Sequence, residues 1–194
     1  MILSNVSIHE ALDKKWLIID PEPMPRLVVA GGPKCPYQTT SVDLRLGAEI
    51  AYFKDNLAIS VDLRRGNFNT VFGPLSHTHQ LSDKQPYTLE KNEFVLAKTL
   101  ERVELPISDS APCLAARIEG KSSYARCGLL VHFTAPTIHA GFSGTITLEL
   151  INLGPLPISL YPGMPICQLI VEQVDRTPFR NDSQFQGQVR PGGR

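Results

Sequence analysis

The chain has 194 residues, 42% hydrophobic and 20% charged, which is enough apolar material to fill one compact domain and too short a chain for a second full one. Its 19 Lys and Arg balance 19 Asp and Glu, so no global basic field draws it to a nucleic acid polymer or an anionic membrane, and any phosphate recognition has to be local. No apolar run approaches the roughly 20 residues that span a bilayer, and the opening MILSNVSIHEALDKKW carries charges where a signal peptide is apolar, so the expected location is the cytoplasm.

In chain order, a short helix is expected over Ile8 to Lys15, followed by many short apolar runs divided by 16 prolines and 14 glycines. Strands are expected at Ser41 to Leu46, Glu93 to Thr99, Cys113 to Ile118, Leu129 to Phe133, Gly144 to Ile151, Ile158 to Leu160 and Ile166 to Glu172. Their regular spacing implies a mainly β barrel or sandwich. The polar region Lys54 to Pro86 reads as an excursion from that core, serving a subunit contact or forming an insertion with short strands of its own. Within it, His77 and His79 could face the same side of a strand, but two ligands without a third seldom hold a metal. Cys35, Cys113, Cys127 and Cys167 are widely spaced and form no CxxC pair, which argues against disulfides and a cysteine zinc site. The tail from Arg176 is rich in Arg, Gln, Gly and Pro and has little to bury.

Two segments carry chemistry. Gly120-Lys121-Ser122-Ser123 sets a glycine before two hydroxyl residues, a turn whose amides suit phosphate. A single helical turn from Ser122 would bring Arg126 onto the same face, with Lys121 nearby. GKSS has the closing residues of a P-loop, but Ala115 stands where the first glycine belongs. In Thr145-Ile146-Thr147-Leu148-Glu149-Leu150 the alternation places Thr145, Thr147 and Glu149 on one strand face and the apolar residues on the other. A carboxylate near a basic hydroxyl loop suggests a nucleotide site.

Four blocks, SVDLRLG at Ser41 to Gly47, EGKSSYARCGLLVHFTA at Glu119 to Ala135, AGFSGTITLEL at Ala140 to Leu150 and LPISLYPGMPICQL at Leu156 to Leu169, followed by QFQGQ from Gln184, resemble the dCTP deaminases of the trimeric dUTPase-like superfamily. The resemblance implies a dUTPase-like distorted β-barrel or jelly roll with a short N-terminal helix and few others. It implies a nucleotide deaminase domain over residues 1–175 with a mobile C-terminal lid over 176–194, and a homotrimer with sites between subunits. By the same resemblance Glu149 matches the general base and acid, with Ser122 and Arg126 around the cytosine and the attacking water. Lys121, Ser122 and Ser123 match triphosphate contacts, the backbone of Thr147 and Leu148 matches base and sugar contacts, and Gln168 and Gln188 match further nucleotide contacts. Arg45 matches a structural or site-bordering arginine, although a strand-end salt bridge is the reading its own sequence context favours. Magnesium would arrive with the triphosphate, with no intrinsic cofactor. The zinc deaminase signature, His or Cys two before Glu and then PCxxC, is missing from the sequence, and the resemblance implies that Glu149 activates the water without a metal.

His139 stands where the family has an aspartate near the sugar, Phe179 where it has a tyrosine and Gln184 where it has a lysine. All three fall on expected ligand contacts. In the related dUTPases the aspartate matching His139 activates water against the triphosphate. The main expectation is therefore hydrolytic deamination of dCTP to dUTP and ammonia, in the supply of dUMP and dTTP precursors. The runner-up is a bifunctional deaminase and diphosphatase that yields dUMP and pyrophosphate, and a third reading is a non-catalytic nucleotide-binding relative.

Overall fold

In the computed structural model, residues 1–54, 60–62, 64 and 73–179 are described. Ser4 opens the chain's first helix: its hydroxyl accepts the Ser7 N–H at 3.3 Å and caps α1, Asn5–Asp13, which buries Ile8, Ala11 and Leu12. The helix starts ahead of the expected Ile8 because the cap sets the first turn, and it stops short of Lys15, whose φ of 56° leaves the helical region.

Among the described residues twelve strands follow: β1 (Ile18–Asp20), β2 (Val42–Arg45), β3 (Glu49–Phe53), β4 (Ser76–Gln80), β5 (Tyr87–Leu89), β6 (Phe94–Glu104), β7 (Leu114–Gly120), β8 (Leu129–Val131), β9 (Thr137–Ile138), β10 (Ser143–Asn152), β11 (Ile158–Leu160) and β12 (Pro165–Gln173). One short helix, α2 (Ser122–Ala125), joins β7 to β8. Every expected strand is present, with ends moved by a few residues. β1, β3, β4, β5 and β9 are additional.

All pairings are antiparallel. One sheet runs β4-β3-β6-β10-β8, with β1 also on β6; a second runs β2-β12-β7-β9; β11 and β5 form a two-stranded ribbon. The inward side chains of the two larger sheets meet in a single core, with Ala97, Val103, Ile146, Leu148 and Leu150 from the first and Val42, Leu44, Ile118, Leu169 and Val171 from the second. Within the expected excursion Lys54 to Pro86, the described β4 is a short strand of the kind expected there, and it joins the first sheet by pairing with β3 along Glu49↔Gln80 to Phe53↔Ser76. Residues 55–59, 63 and 65–72 of that region lie outside the described residues.

His77 and His79 do share a face of β4, where they meet aromatic rings: His77 lies 5.5 Å from Tyr52 and His79 5.5 Å from Tyr87, centroid to centroid. Among the described residues, no group of three or more His, Cys, Asp or Glu is arranged to hold a metal ion. Cys35, Cys113 and Cys167 are buried free thiols, and Cys127 is exposed. No helix among the described residues is long and apolar enough to cross a membrane.

Candidate functional site

The strand β10 alternates without interruption, with Gly144, Ile146, Leu148 and Leu150 buried and Thr145, Thr147 and Glu149 on the opposite, half-buried face. Its neighbour β6 sets the aim of that face. Thr145 pairs with Arg102 but Thr147 pairs with Lys98, so β6 carries a bulge through Thr99, Leu100 and Glu101. Thr99 is fully buried, and its hydroxyl accepts the Ile146 N–H at 2.9 Å while donating to the Glu101 carbonyl at 2.7 Å. The side chain thus replaces the ladder bond that the bulge removes. The same bulge turns Glu101 inward, at 0% exposure, where it accepts the Arg45 backbone N–H at 2.8 Å and the Arg45 guanidinium at 2.6 Å. Arg45 is therefore the strand-end salt bridge that its sequence context favours.

Glu149 lies just beyond this bulge with its side chain 30% exposed, and His132 closes over it from the end of β8. His132 is 8% exposed, has a φ of 52°, and donates its backbone N–H to the Glu149 carbonyl at 2.8 Å. Its Nδ1 lies 2.7 Å from Glu149 Oε2, so imidazole and carboxylate are in direct polar contact. Burial pushes the Glu149 carboxyl up, but the His132 imidazole and a backbone hydrogen bond outweigh it and leave the group below its ordinary value.

A second polar cluster forms where β7 ends against β2 and β12. Lys121 Nζ lies 2.6 Å from Asp43 Oδ2, with side chains 12% and 4% exposed. Gln168 on β12 donates to Ser41 Oγ and Asp43 Oδ1, both at 3.3 Å. Cys167 is buried beside them, and burial, with the Glu101 and Asp43 carboxylates, pushes its thiol up. Asp43 and Arg45 also border a cleft of about 120 Å³ beside Lys34 and three prolines.

The turn expected from Ser122 is present as α2, and Arg126 closes it with its N–H on the Ser122 carbonyl at 3.3 Å. Ser122, Ser123 and Arg126 are exposed, whereas Lys121 at the cap has folded back onto Asp43. The next turn is fixed by a backbone contact: Gly128 has a φ of +93°, and a Cβ there would stand 2.1 Å from the Gly154 nitrogen. Asn152 braces the opposite side, accepting the Gly154 N–H at 2.9 Å and donating to the Leu89 and Leu156 carbonyls.

The chain thus brings Lys121 and Gln168 together through Asp43, and it sets Thr147, buried Leu148 and Glu149 in succession on β10. Among the described residues, no polar contact within the chain joins Ser122 or Arg126 to Glu149. His139 is exposed, at the head of the turn into β10 with its carbonyl accepting the Phe142 N–H, and Phe179 is fully exposed. Gln184 and Gln188 lie outside the described residues. Two site residues were missed from sequence. His132 sits in LLVHF, which reads as continuing strand, and Asp43 sits in SVDLRLG, where alternation suggests only a strand carboxylate.

A family model described as dCTP deaminase-like matches residues 2–174. The chain belongs to the dCTP deaminase-like family. Among curated relatives, a protein of Dictyoglomus turgidum named "dCTP deaminase, dUMP-forming" is 38% identical over 169 residues, 87% of this chain and 78% of that one. Proteins of the same name from Methanosphaera stadtmanae and Corynebacterium efficiens are 34% and 37% identical, over 98% of this chain and 91% and 92% of theirs. Among solved structures, a 2'-deoxycytidine 5'-triphosphate deaminase from Agrobacterium tumefaciens superposes with a TM-score of 0.59 at 23% identity, over 88% of this chain. This chain spans about half of that longer one, 47%. At that identity the likeness speaks for the fold, and the mainly β fold with a short N-terminal helix stands as expected.

Proposed function

We propose that this protein is a hydrolase that deaminates dCTP and releases its two outer phosphates as pyrophosphate, so that dCTP and two waters give dUMP, pyrophosphate and ammonia. The observation that carries the deamination step is Glu149: a half-buried carboxylate on the polar face of β10, held below its ordinary pKa and so ionised when it meets water. Glu149 takes a proton from the attacking water as oxygen adds to C4 and passes it to N3 of the ring. It then takes the hydroxyl proton of the tetrahedral adduct and delivers it to the leaving amine. One carboxylate suffices for both transfers, and no zinc enters the scheme.

The substrate is the magnesium complex of the nucleotide. Ser122, Ser123 and Arg126 are exposed on and just after α2, and among the described residues no polar contact within the chain joins them to Glu149; in the proposed homotrimer neighbouring chains complete each site. Lys121 and Gln168 would receive the phosphates and sugar after exchange with Asp43. The lid expected over residues 176–194 lies, from residue 180 onward, outside the described residues; truncation after Asp182 tests it, and should cost turnover more than melting temperature.

The relatives named as dUMP-forming favour release of pyrophosphate over retention of the triphosphate. His139 favours the second reading, deamination to dUTP alone, because it supplies no carboxylate for a second water. Incubation with dCTP and magnesium, following ammonia and resolving the nucleotides, separates them. dUMP with one pyrophosphate per ammonia supports the proposal; dUTP that persists overturns the cleavage step, and nucleotide binding with no ammonia overturns catalysis altogether.

A further inference from the structure

His132 has no place in the proton scheme above, yet three independent features converge on it. A non-glycine residue at φ 52° is uncommon and costs free energy, so surrounding contacts must enforce it. Those contacts are to the acid-base residue: the His132 N–H holds the Glu149 carbonyl at 2.8 Å, and Nδ1 stands 2.7 Å from Oε2. The imidazole is 8% exposed, and its Nε2 is buried without a hydrogen-bond partner among the described residues, an expensive placement for a side chain that only fills space. Val131, one residue earlier, pairs with Leu150, so backbone and ring together fasten the end of β8 to β10 at Glu149.

We infer that His132 is the positioning residue for Glu149, holding Oε2 against its Nδ1 and leaving Oε1 as the oxygen that exchanges protons with water and substrate. The clamp divides the labour of the two oxygens. A free carboxylate rotates and presents either one, whereas an anchored one presents the same lone pair at each of the two transfers, which the near-attack geometry of proton transfer requires. Among the described residues His132 is the titratable side chain in contact with the Glu149 carboxylate; across the sheet the carboxylate's strand partner is apolar Leu96, with Lys98 opposite Thr147 two residues away.

This inference rests on the deaminase reading, and its test separates the two. His132→Gly removes the ring while accepting the left-handed backbone, and His132→Asn, which also tolerates that backbone, restores a side-chain donor near the place of Nδ1. With melting temperatures confirming that both variants fold, His132→Gly should lower kcat for dCTP about 10- to 100-fold with KM little changed. The acid limb of kcat/KM should move to higher pH, and His132→Asn should recover most of the loss. A ¹³C carboxyl titration, with the Glu149 signal identified by its loss in Glu149→Gln, reads the contact without turnover. Glu149 should titrate at higher pH in His132→Gly than in the parent, with His132→Asn between them. An unmoved Glu149 titration overturns the clamp, as does equal loss of activity in Gly and Asn variants. If the parent releases no ammonia from dCTP, the functional reading fails, and the ¹³C titration still decides the role of His132.

Discussion

Thr99 offers a quantitative test of how the bulge in β6 supports the site. In Thr99→Val the shape is nearly conserved, but the hydroxyl that accepts the Ile146 N–H at 2.9 Å and donates to the Glu101 carbonyl at 2.7 Å is lost. Both backbone groups are then left unpaired at a position of 0% exposure. An orphaned buried polar group costs about 1–3 kcal/mol, so two, with some relaxation of the bulge, come to about 2–4 kcal/mol. For a chain of this length each kcal/mol lowers Tm by roughly 2–4 °C, which gives a fall of roughly 5–15 °C. Thr99→Ser keeps the hydroxyl and removes one methyl, at about 1 kcal/mol. Scanning fluorimetry on the three proteins distinguishes the terms, and ammonia release should fall in Thr99→Val because Ile146 lies three residues from Glu149. A Thr99→Val protein that melts within 2 °C of the parent, or below Thr99→Ser by no more than that, would refute the account of the bulge (threshold roughly the effect of 1 kcal/mol).

Three further outcomes are expected. Gly128→Ala meets both a φ of +93° and the Gly154 backbone 2.1 Å away, so it should cost more than about 4 kcal/mol and leave little soluble protein, whereas Gly163→Ala, with a φ of +76° but open space, should cost only about 1–2 kcal/mol in chemical denaturation. Asp43→Asn leaves the Lys121 ammonium buried and uncompensated, at about 3–5 kcal/mol, and Lys121→Met similarly strands Asp43; the double variant should be less destabilised than the sum, and additive melting shifts would show the pair to be uncoupled. The depressed carboxyl of Glu149 contributes stability above the ordinary carboxylate pKa of about 4.3, and that contribution disappears as pH falls through the lower folded value. In a pH series of urea midpoints, Glu149→Gln should therefore narrow its deficit against the parent on acidification, and a deficit constant from neutral pH to below pH 4 would contradict the assigned direction.

The legible part of this molecule was what local pattern encodes. Strict alternation from Thr145 to Leu150 placed Glu149 opposite Ile146, Leu148 and Leu150, and the fold places it there. The single turn from Ser122 to Arg126 was likewise readable from a glycine and two hydroxyls. Burial of Lys121 against Asp43 was not, because the partners meet only when the end of β7 reaches β2 across β12, and nothing near GKSS signals a distant carboxylate. The bulge in β6 was hidden for a related reason: the expected strand ended at Thr99, so the stretch Leu100 to Glu104 was not assigned to it, and only the register with β10 exposes the extra residues. His132 was lost inside an apolar run whose continuation as strand is the ordinary expectation, although its φ breaks that strand after Val131.

Ammonia release from dCTP by the parent and by Glu149→Gln, measured on protein shown to bind the nucleotide in both forms, tests the central claim most directly. The account expects turnover in the parent and a loss of about 10²–10⁴-fold in the variant with binding retained; ammonia release at the parent's rate by Glu149→Gln would contradict it.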